Sequence, residues 1–257
     1  MAKTTSQWQR ERSLILSGLL LLSALAWAVL IWQSRMMMSD QASSLTMGMS
    51  AFLFITIWII MMIAMMFPAS APMILTFTTI SANKRQQARP VVPTWVFVSA
   101  YLLVWSACGV LAYPLALGLE QWTAQSMWLM QNSPRFAGAV VVLAGLYQLS
   151  PWKDRCLAKC RTPLHFILTA WRDGYGGAFR MGMEHGIYCL GCCWLLFVLL
   201  FALGIMNLAV MALATALIFV EKTLPAGRLI SKLAGGALIG YGVLVLFLPA
   251  LLPMGMP

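Results

Sequence analysis

Charge is scarce in this chain, and negative charge scarcest. Only 7 of 257 residues are Asp or Glu, against 17 Lys and Arg. Glu11, Asp40, Glu120, Asp154, Asp173, Glu184 and Glu221 all fall at the ends of apolar runs or between them. Carboxylates within a membrane mark proton and ion relays, so their absence there disfavours a proton-coupled antiporter. Histidine is scarcer still. With His165 and His185 alone, a His-rich metal site is excluded, and the lack of His pairs within the apolar runs argues against bis-histidine haem ligation. No G-x4-G-K-[ST] segment offers a phosphate-binding loop, and no Ser/His/Asp set suggests hydrolysis. Low-complexity tracts are missing too. The lack of an internal repeat speaks against an inverted-repeat transporter.

What fills the chain instead is apolar: 61% hydrophobic and 9% charged, where a soluble domain carries about 25% charge. Apolar runs fall near residues 14–32, 51–80, 92–118, 135–150, 186–203, 206–221 and 233–252. Runs of roughly 18 residues or more read as membrane spans. The expectation is one integral membrane domain over 1–257. It would be an all-α polytopic bundle of about seven transmembrane helices. Because 135–150 is short and 206–221 modest, six spans is the alternative.

The intervening segments alternate in charge. Every Lys and Arg except Arg35 and Arg135 falls on one side of a seven-span arrangement. Cations stay on the cytoplasmic side, which places the N-terminus inside and the C-terminus outside. The net charge of +10 thus reads as topology, and no nucleic-acid motif accompanies it. The first run exceeds a signal-peptide core and no A-x-A-like site follows, so it reads as a retained helix. Trp32, Trp122, Trp152 and Trp171 suit an interfacial belt, while Trp27, Trp58 and Trp105 read as packing or lipid-facing. Gly235, Gly236 and Gly240 would let helices approach closely.

The one long segment between runs, 151–185, reads as a cytoplasmic loop. From Pro163 it carries an interfacial or re-entrant helix, then a glycine hinge at Gly174, Gly176 and Gly177.

Five of the six cysteines crowd this segment and the next run. At about 100° per helical residue, Cys189 lies about 40° from His185, Cys192 about −20° and Cys193 about 80°. Cys156 and Cys160, four apart, share a second face. Cytosolic thiols stay reduced, which argues against structural disulfides. Thiolate with imidazole suits Cu(I), Zn(II) or an iron–sulfur centre. Lys153, Arg155, Lys159 and Arg161 nearby would favour thiolate over thiol, and Glu184 reads either as the partner that orients His185 or as an ordinary solvated loop acid. Glu221 reads as a local ion pair or an interfacial residue. Cys108, alone in its run, reads as packing.

Methionine is abundant, with 19 residues. MMIAMMFPASAPM places Met62, Met66 and Met73 on one face and Met61 and Met65 on another. Pro68 and Pro72 should loosen that helix, and broken membrane helices line cavities or buried sites. Met36, Met37, Met38, Met47 and Met49 crowd the preceding loop. Thioethers select Cu(I), although methionine is also a flexible core filler. The order, thioethers outside and thiols inside, suits a Cu(I) route with Met62 and Met66 as transient ligands.

The segments MMIAMMFPASAPM, LSPWKDRCLAKCRTP, HGIYCLGCCWLL and GIMNLAVMALATALIFVEKTLP resemble a bacterial family of predicted metal-binding integral membrane proteins. The likeness runs over roughly 60–225. It implies a multi-pass protein of the bacterial inner membrane with a metal site at Cys156, Cys160, Cys189, Cys192 and Cys193. It also draws attention to Lys153, Pro163, Asn207, Glu221 and Lys222. The expected function is binding of a soft metal, Cu(I) before Zn(II), for transport or for delivery to a membrane metalloenzyme. A metallochaperone is a further expected partner. The alternatives are a thiol–disulfide oxidoreductase using Cys189 and Cys192, and a non-catalytic assembly subunit with structural zinc.

Overall fold

The computed structural model describes residues 2–36, 46, 48–86, 92–204 and 207–249. Met37, Met38, Asp40, Met47 and Arg89, which entered the methionine and charge arguments, lie outside them. Within the described residues the chain is all α-helical: α1 (Ala2–Met36), α2 (Ala51–Gln86), α3 (Thr94–Gln125), α4 (Met127–Gln148), α5 (Pro151–Arg161), α6 (Pro163–Ala170), α7 (Gly174–Ala202), α8 (Leu208–Thr223) and α9 (Gly227–Phe247).

Five helices are long and apolar enough to cross a membrane: α2, α3, α7, α9 and the part of α1 from Gln9. The chain is a multi-pass membrane protein on that basis. The other two expected spans fall short for different reasons. α8 has 16 residues, about 24 Å of helix against a hydrocarbon core of about 30 Å. α4 has 22 residues, but Gln131, Asn132, Ser133 and Arg135 make its first half polar.

The segment 151–185 is more ordered than a loop. Ser150 accepts from the Lys153 amide and starts α5, with Pro151 in the first turn. Pro163 starts α6. The glycine hinge is the first turn of α7: Gly174 has φ +81°, which only glycine adopts freely.

Pro68 and Pro72 do not break α2, which runs on through both. Each proline leaves the carbonyl four residues earlier without its helical donor. The carbonyl freed by Pro68 is that of Ala64, and Ser23 of α1 donates to it at 2.8 Å. Pro134 in α4 similarly frees Met130, which accepts from Ser133 Oγ at 2.9 Å. At Pro68 a hydroxyl thus replaces the missing amide inside the apolar bundle, while at Pro134 it does so on an exposed part of α4. The expected opening at Pro68 is closed by the neighbouring helix.

Absent side chains bring two helix pairs together. On α4 and α9, a Cβ on Gly145 would sit 2.7 Å from the Gly235 carbonyl, and one on Gly242 would sit 2.8 Å from the Gly138 carbonyl. The pairs 138/242 and 145/235 run in opposite senses, so α4 and α9 pack antiparallel. Gly236 and Gly240 face open space, so of the three glycines expected to serve packing only Gly235 does. On α7, Gly182 and Gly186 admit Ala100 and Val104 of α3.

Trp58 and Trp105 are buried, while Trp32, Trp122 and Trp152 stand exposed as an interfacial belt requires.

Candidate functional site

The middle of α7 carries the site. α3 packs along it, α5 lies beside it, and α2 and α8 close the remaining sides. Cys189, Cys192 and Cys193 are each at most 1% exposed, and Cys160 of α5 is 8% exposed. All six cysteines are free thiols.

Four sulfurs meet here. Cys192 and Cys193 have their Sγ atoms 3.2 Å apart, a contact far longer than the roughly 2.05 Å of a disulfide. Cys192 also donates to the Cys189 carbonyl at 3.0 Å. Cys160 interacts with both Cys189 and Cys192. Hydrogen bonding to Cys189 and burial hold its thiol well above the ordinary range. Met66 of α2 brings its thioether to 4.0 Å from Cys189. Met62, one turn away, is fully buried in the same core.

Cys156 stands apart. It is half-buried, and a Cβ on Gly191 would meet its sulfur at 2.8 Å. Tyr147 donates to the carbonyl of that same Gly191. Desolvation pushes the Cys156 thiol up. Two of the α5 cations expected to favour thiolate are engaged elsewhere. Lys153 turns to Glu221 at 2.7 Å. Arg161 donates to the carbonyls of Leu224 and Pro225, where a cation suits the end of a helix.

The cation that does reach a sulfur comes from α8. Lys222 places Nζ 2.9 Å from Cys189 Sγ, and the Tyr101 hydroxyl lies 3.1 Å from the same sulfur. Both groups are buried. An ammonium can only donate, so Cys189 accepts. The next residue back, Glu221, points away to Lys153 and to Gln148 Nε2 at 3.0 Å. Glu221 and Lys222 thus do not pair with each other. They reach opposite ways from the end of α8.

His185 sits one turn before Cys189 on α7. Its ring stacks against Tyr101, with centroids 5.3 Å apart, and against Phe97 at 5.9 Å. It is 2% exposed, yet neither ring nitrogen has a hydrogen-bond partner. Glu184 does not orient it, because that carboxylate accepts from Arg180 at 3.0 Å.

Among the described residues, no three His, Cys, Asp or Glu side chains stand in metal-binding geometry. The sulfurs are gathered, but they are turned onto one another and onto Lys222.

A copper chaperone family, PpoB2, matches residues 55–245. The chain belongs to this family. No curated protein and no solved structure gives a match. Membership implies copper as the bound metal, and the residues here fit a soft ion. Thiol and thioether sulfur are the donors Cu(I) prefers. The orphaned nitrogens of His185 supply a buried polar group that lacks a partner, which native interiors rarely tolerate.

Sequence reasoning missed Tyr101 and the role of Lys222. An aromatic in an apolar helix carries no signal. The adjacent charges in FVEKTLP did carry one, since a Glu–Lys pair at the end of an apolar run has to be buried, paired or at the interface. Of the other residues the resemblance picked out, Pro163 and Asn207 begin helices. The Asn207 side chain accepts from the amides of Ala209 and Val210.

Proposed function

We propose that the chain binds Cu(I) within its membrane bundle and hands it to a membrane metalloenzyme. The observation that carries this reading is the burial of the Cys160, Cys189, Cys192 and Cys193 thiols as near neighbours, inside the stretch that matches a copper chaperone family. These four sulfurs are the principal ligands. His185, with both nitrogens unpartnered, is the imidazole candidate. Met66 is the thioether neighbour through which the ion arrives, and Met62 precedes it. Cys156 of α5, half-buried against Gly191 of α7, is the sulfur at which the ion is received or released.

We place the protein in the bacterial inner membrane with its N-terminus cytoplasmic. α4 and α8 serve as the two shorter spans that complete seven. The split of Lys and Arg supports this arrangement.

Burial speaks against a thiol oxidoreductase. Cys189 and Cys192 are 0% and 1% exposed, and disulfide exchange requires access to the attacked sulfur.

The test is to purify the protein in detergent under reducing, anaerobic conditions. Bound metal is measured by mass spectrometry beside the variant Cys189→Ser, Cys192→Ser, Cys193→Ser. About one copper per chain, lost in the variant, is expected. No metal in either protein after Cu(I) loading would overturn the reading.

A further inference from the structure

His185 is buried with both ring nitrogens unpartnered, and its surroundings differ on its two sides. One turn on is the thiol of Cys189. One turn back on the same face is Met181, also buried. Beyond Met181 that face continues through Ala178 to Gly174, and all three line a small cleft with Phe77, Lys84 and Trp171. The partly exposed Lys84–Asp173 pair marks its open end. A second thioether lies at the same depth. Met66 meets Cys189, and the two helices then run on together, seven residues along α2 to Met73 and eight back along α7 to Met181. Those are steps of about 10 and 12 Å. Met73 shares its helix face with Met66. Met73 and Met181 belong to one buried cluster with Phe97 and Phe166, and both of these rings flank His185.

We propose that Met73, Met181 and His185 form a second Cu(I) site, on the side of the thiols that the cation split assigns to the cytoplasm. This rests on the Cu(I) reading above. Methionine alone would be core filling. A buried imidazole with no hydrogen bond is different, because packing gives it nothing in return for losing water. Two thioethers and an imidazole nitrogen are soft donors suited to Cu(I). Each binds through a lone pair of a neutral group, so no proton is displaced and no electron moves. The ion keeps its charge in a low-dielectric site, which burial makes costly. The site is therefore weaker than the thiols and fills after them. The cleft at Met181 gives it its own approach, independent of Cys156.

The experiment is an anaerobic Cu(I) titration of the full chain in detergent, labelled with ¹³C at methionine methyls and ¹⁵N at histidine rings and followed by NMR. Met73→Leu and Met181→Leu identify the two methyl signals, and both substitutions conserve volume. Once the first equivalent has bound, the second should move the Met73 and Met181 methyls and the His185 nitrogens together. Competition with a Cu(I) chelator should show that Met181→Leu weakens the second equivalent at least tenfold and leaves the first within twofold. Methyl signals that stay in place under excess Cu(I) would overturn the proposal. His185 nitrogens that move with the first equivalent would overturn it too, because the ring would then belong to the thiols. Wild type that takes up no copper at all would instead overturn the Cu(I) reading itself.

Discussion

Two regions of this bundle are sealed equally well by opposite means. At the centre, α7 meets α2, α5 and α8 through side chains rich in chemistry: four cysteines, a thioether, a histidine and two lysines. Along the α4–α9 seam the contact is made by side chains that are missing, with Gly138 facing Gly242 and Gly145 facing Gly235. The seam is held by close approach, with one polar contact across it, from the Ser231 hydroxyl to the Gln148 carbonyl at 3.4 Å. The centre must pair every charge it buries. Burial of charge is costly, so a fold that keeps Lys153, Glu221 and Lys222 at 0%, 1% and 6% exposure has a reason beyond stability to do so. Of the three, Lys222 meets the sulfur cluster, at Cys189.

The largest effect should come from breaking the paired charge. Glu221→Leu leaves Lys153 buried with only the Gln148 amide for company. Removing one partner of a buried pair costs about 3–5 kcal/mol. Thermal unfolding in detergent should show the loss. The double variant Lys153→Met, Glu221→Leu should recover most of it, since neutral groups of similar volume replace a buried pair at little cost. If the double variant is no more stable than the single one, the pair does more than neutralise itself.

Next in size is the seam. Gly145→Leu forces a side chain into the Gly235 backbone, and overpacking costs about 1–3 kcal/mol. The protein should unfold at lower temperature yet hold the same copper per folded chain. A variant that kept its stability and lost copper would mean that the seam and the centre are one unit.

This comparison also divides what the sequence reveals from what it conceals. The α7 site was legible because Cys189, Cys192 and Cys193 follow a helical period, and chemistry-bearing residues are conspicuous against leucine. The long spans were legible from apolar length. The seam was only half legible, because a glycine says that something comes close without saying what. Gly138 and Gly145 drew no notice, and Gly236 drew undeserved notice. Pro68 misled for a related reason. Its local effect is to free the Ala64 carbonyl, but whether a helix opens there depends on Ser23, 41 residues earlier. Long-range partners decided the lysines in the same way. Lys153 is close to Cys156 in sequence and binds Glu221, while Lys222 is far from Cys189 in sequence and touches it.

A smaller effect should separate packing from ligation within the centre. Met62→Leu and Met66→Leu both conserve volume, so each should cost less than about 1.5 kcal/mol in thermal unfolding. Met66 brings its thioether to Cys189. Met66→Leu should release Cu(I) to a competing chelator severalfold faster than wild type, and Met62→Leu should hold it as wild type does while loading more slowly. Equal release from both variants would mean that the thioether at 4.0 Å is a packing neighbour and no more.

The smallest effect is the most exacting for the seam. Gly236 adjoins Gly235, yet a Cβ there meets nothing within 4 Å. The same residue type, one position along, therefore does no packing. Gly236→Ala should raise stability by about 0.4–1 kcal/mol, because alanine loses less backbone freedom on folding. Gly235→Ala should lower it, since its Cβ would press on the Gly145 carbonyl at 3.0 Å. Opposite signs at adjacent residues would establish that α9 is packed on one face and open on the other. A loss at Gly236 as large as that at Gly235 would mean that the open face is covered in the membrane, and that the exposed side of α9 is where this chain meets another protein.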